Sequence, residues 1–143
     1  MLVLFALASV SLGADACDAS IPTDLWFSER LEAVSQVREA LLSLADAETE
    51  DPNIVFPLLS EAELLSARLD HLRDLAEFSR LKPVRVRALE LFKLLLKGDP
   101  FKFNVKAVNI YRSRAKTPAL VSEAGRLRTV LEESRQNLRK CIE

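Results

Sequence analysis

From Thr117 onward the chain reads "TPALVSEAGRLRTVLEESRQNLRKCIE", in which Leu120, Ala124, Leu127, Leu131, Ser134, Leu138 and Cys141 recur at alternating intervals of four and three. That spacing keeps all seven on one side of an α-helix and on no single side of a strand, so the segment reads as a helix that buries one stripe. Thr117 is placed to cap it. Pro118 takes the first helical position, where no N–H is needed. Such a stripe must be covered by other apolar faces, and the candidates upstream are also helices.

Six prolines and only three glycines punctuate the 143 residues. After Pro22, Thr23 can cap a helix to about Ala47, with Phe27, Leu31, Val34, Leu41 and Ala45 on a stripe interrupted by Arg38. The acidic connector "DAETEDPN", Asp46 to Asn53, follows. The apolar piece Ile54 to Leu59 contains Pro57 and is expected to be too broken for a long helix. Ser60 and Glu63 have capping-box spacing and are expected to open a helix with a Leu65, Leu69, Leu72, Ala76 stripe, flanked by Leu64, His71, Leu75 and Phe78. Lys82-Pro83 should end it. A further helix, Val84 to Lys97, stops at Gly98 and is apolar on most sides, which predicts a central position.

The stretch "GDPFKFNVKAVNIYRSRAKTP", Gly98 to Pro118, permits two readings. Phe101, Phe103 and Val105 alternate with Lys102, Asn104 and Lys106 as in a strand, but no partner strand is evident elsewhere. At helical spacing Lys102, Lys106, Asn109 and Ser113 share one face, and Phe101, Val105 and Val108 another. Asp99 then caps and Pro100 sits at the first position. Helix is the better account.

Residues 1–16 read as a signal peptide. Leu2 to Leu12 is an apolar run too short to span a bilayer, and Ala14-Asp15-Ala16 is an A-x-A-like cleavage site, with Ser11-Leu12-Gly13 as a second option. The n-region lacks Lys and Arg, and a buried N-terminal helix is the alternative. Residues 17–143 then form the mature domain, expected to be secreted and extracellular. Its two cysteines, Cys17 and Cys141, should bridge in an oxidising compartment and close nearly the whole chain into one loop. No Asn-x-Ser/Thr sequon occurs.

Charge is segregated along the chain. Cys17 to Ser79 carries fourteen acidic and four basic residues; Arg80 to Lys116 carries eleven basic residues against Glu90 and Asp99. The exposed candidates for a binding face are Lys102, Lys106, Arg112, Arg114 and Lys116. Such a face suits an acidic protein surface, an anionic polysaccharide or an anionic membrane. Self-complementation, with acidic helices lying against basic ones, is the competing reading. Nucleic acid is not an expected partner for a secreted chain.

Little points to catalysis. His71 is the sole histidine, and it borders an apolar stripe. A zinc site needs more ligands, and no glycine-rich loop is present to cradle phosphate. Asp46, Glu48, Glu50 and Asp51 lack the central Gly and closing Glu of a helix-loop-helix calcium site. No metal, cofactor or catalytic residue is assigned. Within "YRSRAKTP", Arg112, Arg114 and Lys116 could enter a trypsin-like protease site or touch an acidic exosite, or form a solvated turn. Trp26, Phe27, Phe56, Phe78, Phe92 and Phe103 could line an apolar-ligand pocket, although core packing is the better account of each.

The segment "MLVLFALASVSLGADA", the pair Cys17 and Cys141, and the proline-punctuated helices through "KGDPFKFNVK" and "AKTPALVSEAGRLRTVLEESRQNLRKC" together give an organisation that resembles the anopheline mosquito salivary inhibitors of the albicin/anophensin type. The resemblance implies a non-enzymatic protein that binds host plasma proteins, in the complement alternative pathway or in contact activation and coagulation. It assigns no functional residue. The expected architecture is all-α: a single-domain antiparallel helical bundle of about five helices closed by a terminal disulfide, and monomeric. A secreted carrier of an apolar small ligand is the alternative function, and a self-assembling structural protein a third.

Overall fold

The computed structural model describes residues 17–18 and 21–143, so the proposed leader and its cleavage sites lie outside the described residues. Five helices account for most of them: α1 (Asp24–Ala45), α2 (Pro52–Phe78), α3 (Arg85–Lys97), α4 (Lys102–Arg114) and α5 (Pro118–Ile142). A two-residue pairing precedes them, β1 (Cys17–Asp18) antiparallel to β2 (Ile21–Pro22), with Cys17 opposite Pro22. No strand candidate was evident there, because such a pairing has no room for an alternating pattern. It is too short to form a layer, and the protein is all-helical.

Each helix is present for a local reason. In α1, Thr23 accepts the Trp26 N–H on its side-chain oxygen at 3.2 Å, while Trp26, Phe27, Val34, Val37 and Leu41 are buried. Arg38, the interruption in that stripe, points outward and pairs with Glu63. In α5, Thr117 accepts from the Leu120 N–H at 3.3 Å, Pro118 opens the first turn, and all seven residues of the four-three stripe are buried. Helix α1 packs on α2 and α5, α2 also contacts α3 and α4, and both α3 and α4 lie against α5. One continuous apolar core links them, with Phe27, Leu41, Leu58, Leu65, Leu69, Phe92, Phe101, Leu127 and Leu131 fully enclosed.

The chain departs from its sequence reading in three places. Helix α2 runs 27 residues straight through Pro57, so Ser60 lies inside it and opens nothing. Asp51 supplies the N-cap, accepting the Asn53 N–H at 2.9 Å, and Pro52 stands in the first turn. An interior proline costs about 3 kcal/mol of helix propensity. Burial of Ile54, Val55, Leu58 and Leu59 around it, each contributing about 1.5–3 kcal/mol, outweighs that penalty. The helix ends at Phe78, well before Lys82-Pro83. Ser79 Oγ donates to the Ala76 carbonyl at 2.5 Å, and successive turn bonds carry residues 79–84 into α3.

Second, α3 is not central. Ala88, Phe92 and Leu96 form its buried stripe, but Val86 and Leu94 are each 67 % exposed and Leu91 is 42 % exposed. Third, Asp99 does not cap α4, and Pro100 is not in its first turn. The helix begins at Lys102 after two turn bonds, Asp99 N–H to Leu96 O and Lys102 N–H to Asp99 O, and Asp99 itself has φ 49°. Phe101, Val105 and Val108 face inward as helical spacing required, whereas Phe103 is 75 % exposed.

Bonds at the chain ends tie α1 to α5. Cys17 and Cys141 form a disulfide across 124 residues with a Cα separation of 5.5 Å. Beside it Trp26 Nε1 donates to Asn137 Oδ1 at 3.0 Å, and Arg30 bridges to Glu133 at 2.6 Å while lying 5.8 Å from the Trp26 ring centre. Trp26 and Phe27 meet edge to face at 5.0 Å.

Candidate functional site

The basic segment begins in the α2–α3 turn and continues through α3 and α4 to the start of α5. Some of its cations serve the fold. Arg80 donates to the Pro22 carbonyl at 3.0 Å and to the Ala76 carbonyl at 3.1 Å, so it fastens β2 to the end of α2. Arg85 Nε donates to the Ser79 carbonyl at 3.2 Å. Lys102, Lys106, Arg112, Arg114 and Lys116 are all exposed.

These five do not share one face. Lys102 and Lys106 stand one turn apart on α4. Arg112 and Arg114, two residues apart on the same helix, point about 200° from one another. The Arg112 guanidinium lies against Gly125 of α5, where a Cβ would stand 3.6 Å from its Nε. It lines a groove of about 480 Å³ with Gln36 and Val37 of α1 and Arg126 of α5. Arg114 and Lys116 turn the other way, onto a groove of about 500 Å³ shared with Asp51 and Asn53. Both arginines also sit in the last turn of α4, where their charge complements the carbonyl end of the helix.

Self-complementation is therefore partial. The acidic α1–α2 connector approaches the Arg114–Lys116 end, and Thr117 Oγ1 donates to the Glu50 carboxylate at 2.8 Å. Yet none of the eleven cations between Arg80 and Lys116 forms an ion pair among the described residues. The ion pairs present there use Arg30, Arg38, Arg73, Arg126, Arg135 and Arg139.

Asp99, an acid inside the basic segment, is drawn out of it. Its carboxylate accepts from Arg135 Nε at 2.9 Å and Nη2 at 2.6 Å, and Arg139 approaches at 3.5 Å. The Arg135 hydrogen bonds hold its pKa below the ordinary carboxylate value; burial opposes them, and the charges of Arg135, Arg139 and Lys102 reinforce them. A carboxyl group depressed in the folded state stabilises fully above its unfolded pKa of about 3.9 and loses that contribution as pH falls through the folded value. Asn tolerates the positive φ but carries no charge. Asp99→Asn is expected to unfold about 1–2 kcal/mol more easily at pH 7. The gap from wild type should close as pH falls below about 4, and urea melts at successively lower pH measure it.

His71, at the border of the α2 stripe, is exposed. Of the aromatic pocket candidates, Trp26, Phe27 and Phe92 are core residues, while Phe56, Phe78 and Phe103 are exposed. An apolar cavity does exist, but beside α2 and the α3–α4 turn, lined by Leu64, Ala67, Arg68, His71, Leu72, Leu95 and Pro100. None of the six aromatics contributes to it. Sequence offered no signal for this cavity, because its walls come together only when Pro100 reaches Arg68.

Among the described residues no group of three His, Cys, Asp or Glu side chains is placed to hold a metal ion, and no helix is long and apolar enough to cross a membrane. Compared with known protein families, curated proteins and solved structures, the chain matches none.

Proposed function

We propose that the chain is a secreted, non-enzymatic binding protein that inhibits a host defence or protease system by docking its basic segment onto an acidic protein surface. Its helices form one antiparallel bundle, closed by the Cys17–Cys141 bond and acting as a monomer. The observation that supports this reading is the run of exposed cations on α3 and α4 without carboxylate partners among the described residues. Unpaired cations of this density raise the local potential and speed encounter with an acidic partner. The resemblance to salivary inhibitors makes host plasma the fluid to search, with complement alternative-pathway or contact-activation components as the first partners to test.

Because Arg112 stands about 80° around α4 from Lys102 and about 160° from Arg114, the partner must wrap the end of α4 or use only part of the set. Reversing Lys102, Lys106, Arg112 and Arg114 to Glu should weaken capture of the plasma partner by about a hundredfold and flatten its salt dependence. Surface plasmon resonance at two salt concentrations, with circular dichroism to confirm the helices, measures both. Unchanged affinity in a folded variant removes this surface from consideration. Equal loss of heparin binding would identify an anionic polysaccharide as the ligand instead.

A further inference from the structure

We infer that the cavity between α2 and the α3–α4 turn is a binding site for a single-chain anionic amphiphile, a free fatty-acid carboxylate. None of Lys102, Lys106, Arg112, Arg114 and Lys116 lines it. Leu64, Leu72, Leu95 and Pro100 give it aliphatic walls, and its volume of about 320 Å³ lies at the lower end of the range for small-molecule sites. One acyl chain suits that space; a two-chain lipid does not. Leu64 lies on this trough 45 % exposed, so apolar surface is left uncovered at its mouth.

The polar edge supplies the second half of the match. Arg68 Nη1 donates to the Pro100 carbonyl at 2.6 Å, which fixes the guanidinium at the rim. One carbonyl leaves most of its donors unused and its charge uncompensated. Among the described residues Arg68 has no carboxylate within ion-pair distance, although the chain elsewhere pairs Arg30, Arg38, Arg73, Arg126, Arg135 and Arg139. A fixed, half-buried cation at the end of an apolar trough is complementary to a carboxylate head on an alkyl tail. His71, one turn beyond Ala67, adds a further polar group at the same rim.

Isothermal titration with dodecanoate below its micelle concentration tests the site, with dodecanol as the neutral probe of the same length. Wild type should bind dodecanoate at one saturable site and dodecanol about tenfold more weakly, as expected for loss of a charge-assisted hydrogen bond. Arg68→Gln retains a donor for the Pro100 carbonyl. It should lower dodecanoate affinity about tenfold and leave dodecanol unchanged. Ala67→Trp fills the groove from an exposed position and should abolish both. Circular dichroism confirms that each variant is folded. Equal affinity for the two probes, undiminished binding to Ala67→Trp, or no saturable site overturns the inference. So does binding to phosphatidylserine-containing vesicles without binding to monomeric dodecanoate, which assigns the face to a membrane.

Discussion

Replacing Cys17 and Cys141 together by Ala is expected to destabilise the protein by about 5 kcal/mol. The bond closes a loop across 124 residues, and loop-closure entropy for that length gives a value of this size. Few interactions in a domain of this size compare, since total stability is typically about 5–15 kcal/mol. Loop-closure entropy acts on the unfolded chain, which the cross-link keeps from expanding. The native helices should therefore survive its removal with their packing unchanged. With a urea m-value of about 1.5–2 kcal/mol/M, the midpoint should fall by roughly 2.5–3.3 M. Far-UV circular dichroism before the transition should be unaltered. A midpoint within 0.5 M of wild type would refute the entropic account. Local effects should concentrate where the bond sits. The Trp26–Asn137 hydrogen bond and the Arg30–Glu133 pair still tie α1 to α5, so new local opening should be confined to β1, β2 and the last turn of α5, while amides that exchange through global unfolding should lose protection throughout the core in step with the fall in stability.

What the chain revealed in advance depended on whether the deciding interaction was local. The α5 stripe and the Thr117–Pro118 start were legible because one period and one cap determine them, and every stripe residue is buried. The cysteine pairing was legible because only one pairing exists. Pro57 misled because its penalty acts within one turn, whereas burial of its neighbours depends on helices elsewhere in the chain. Helix α3 misled for the opposite reason. Its leucines read as core, yet one stripe through Phe92 suffices to dock it, and Leu94 is left outside. Asp99-Pro100 reads as a cap until Arg135 is considered, 36 positions away, holding the carboxylate in another direction. The basic residues of the candidate face were identifiable by type and run length. Their bearings were not, because the divergence of Arg112 and Arg114 depends on which side of α4 meets α5. Arg68 gave no sign at all, since its partner Pro100 comes from a turn that the helix periods do not define.

Phe27 and Phe103 separate the helical account of these segments from any alternating one. Phe27 is fully buried in the first turn of α1, edge to face against the Trp26 ring. Truncating a buried phenylalanine removes its transfer energy and leaves a void that the surrounding helices fill only in part, at a cost of about 3–5 kcal/mol. Phe27→Ala is thus expected to approach the disulfide variant in effect through a different mechanism, acting on the native state. Its urea slope should match wild type while its midpoint falls. Phe103→Ala is expected to change stability by no more than about 0.5 kcal/mol, because a side chain 75 % exposed has little packing to lose. In a strand-like register Phe101, Phe103 and Val105 would share a buried face, and both phenylalanines of the segment would be costly to truncate. In the helix only Phe101, 1 % exposed, is. Comparable losses for Phe101→Ala and Phe103→Ala would overturn the α4 assignment, and with it the bearings of Lys102 and Lys106.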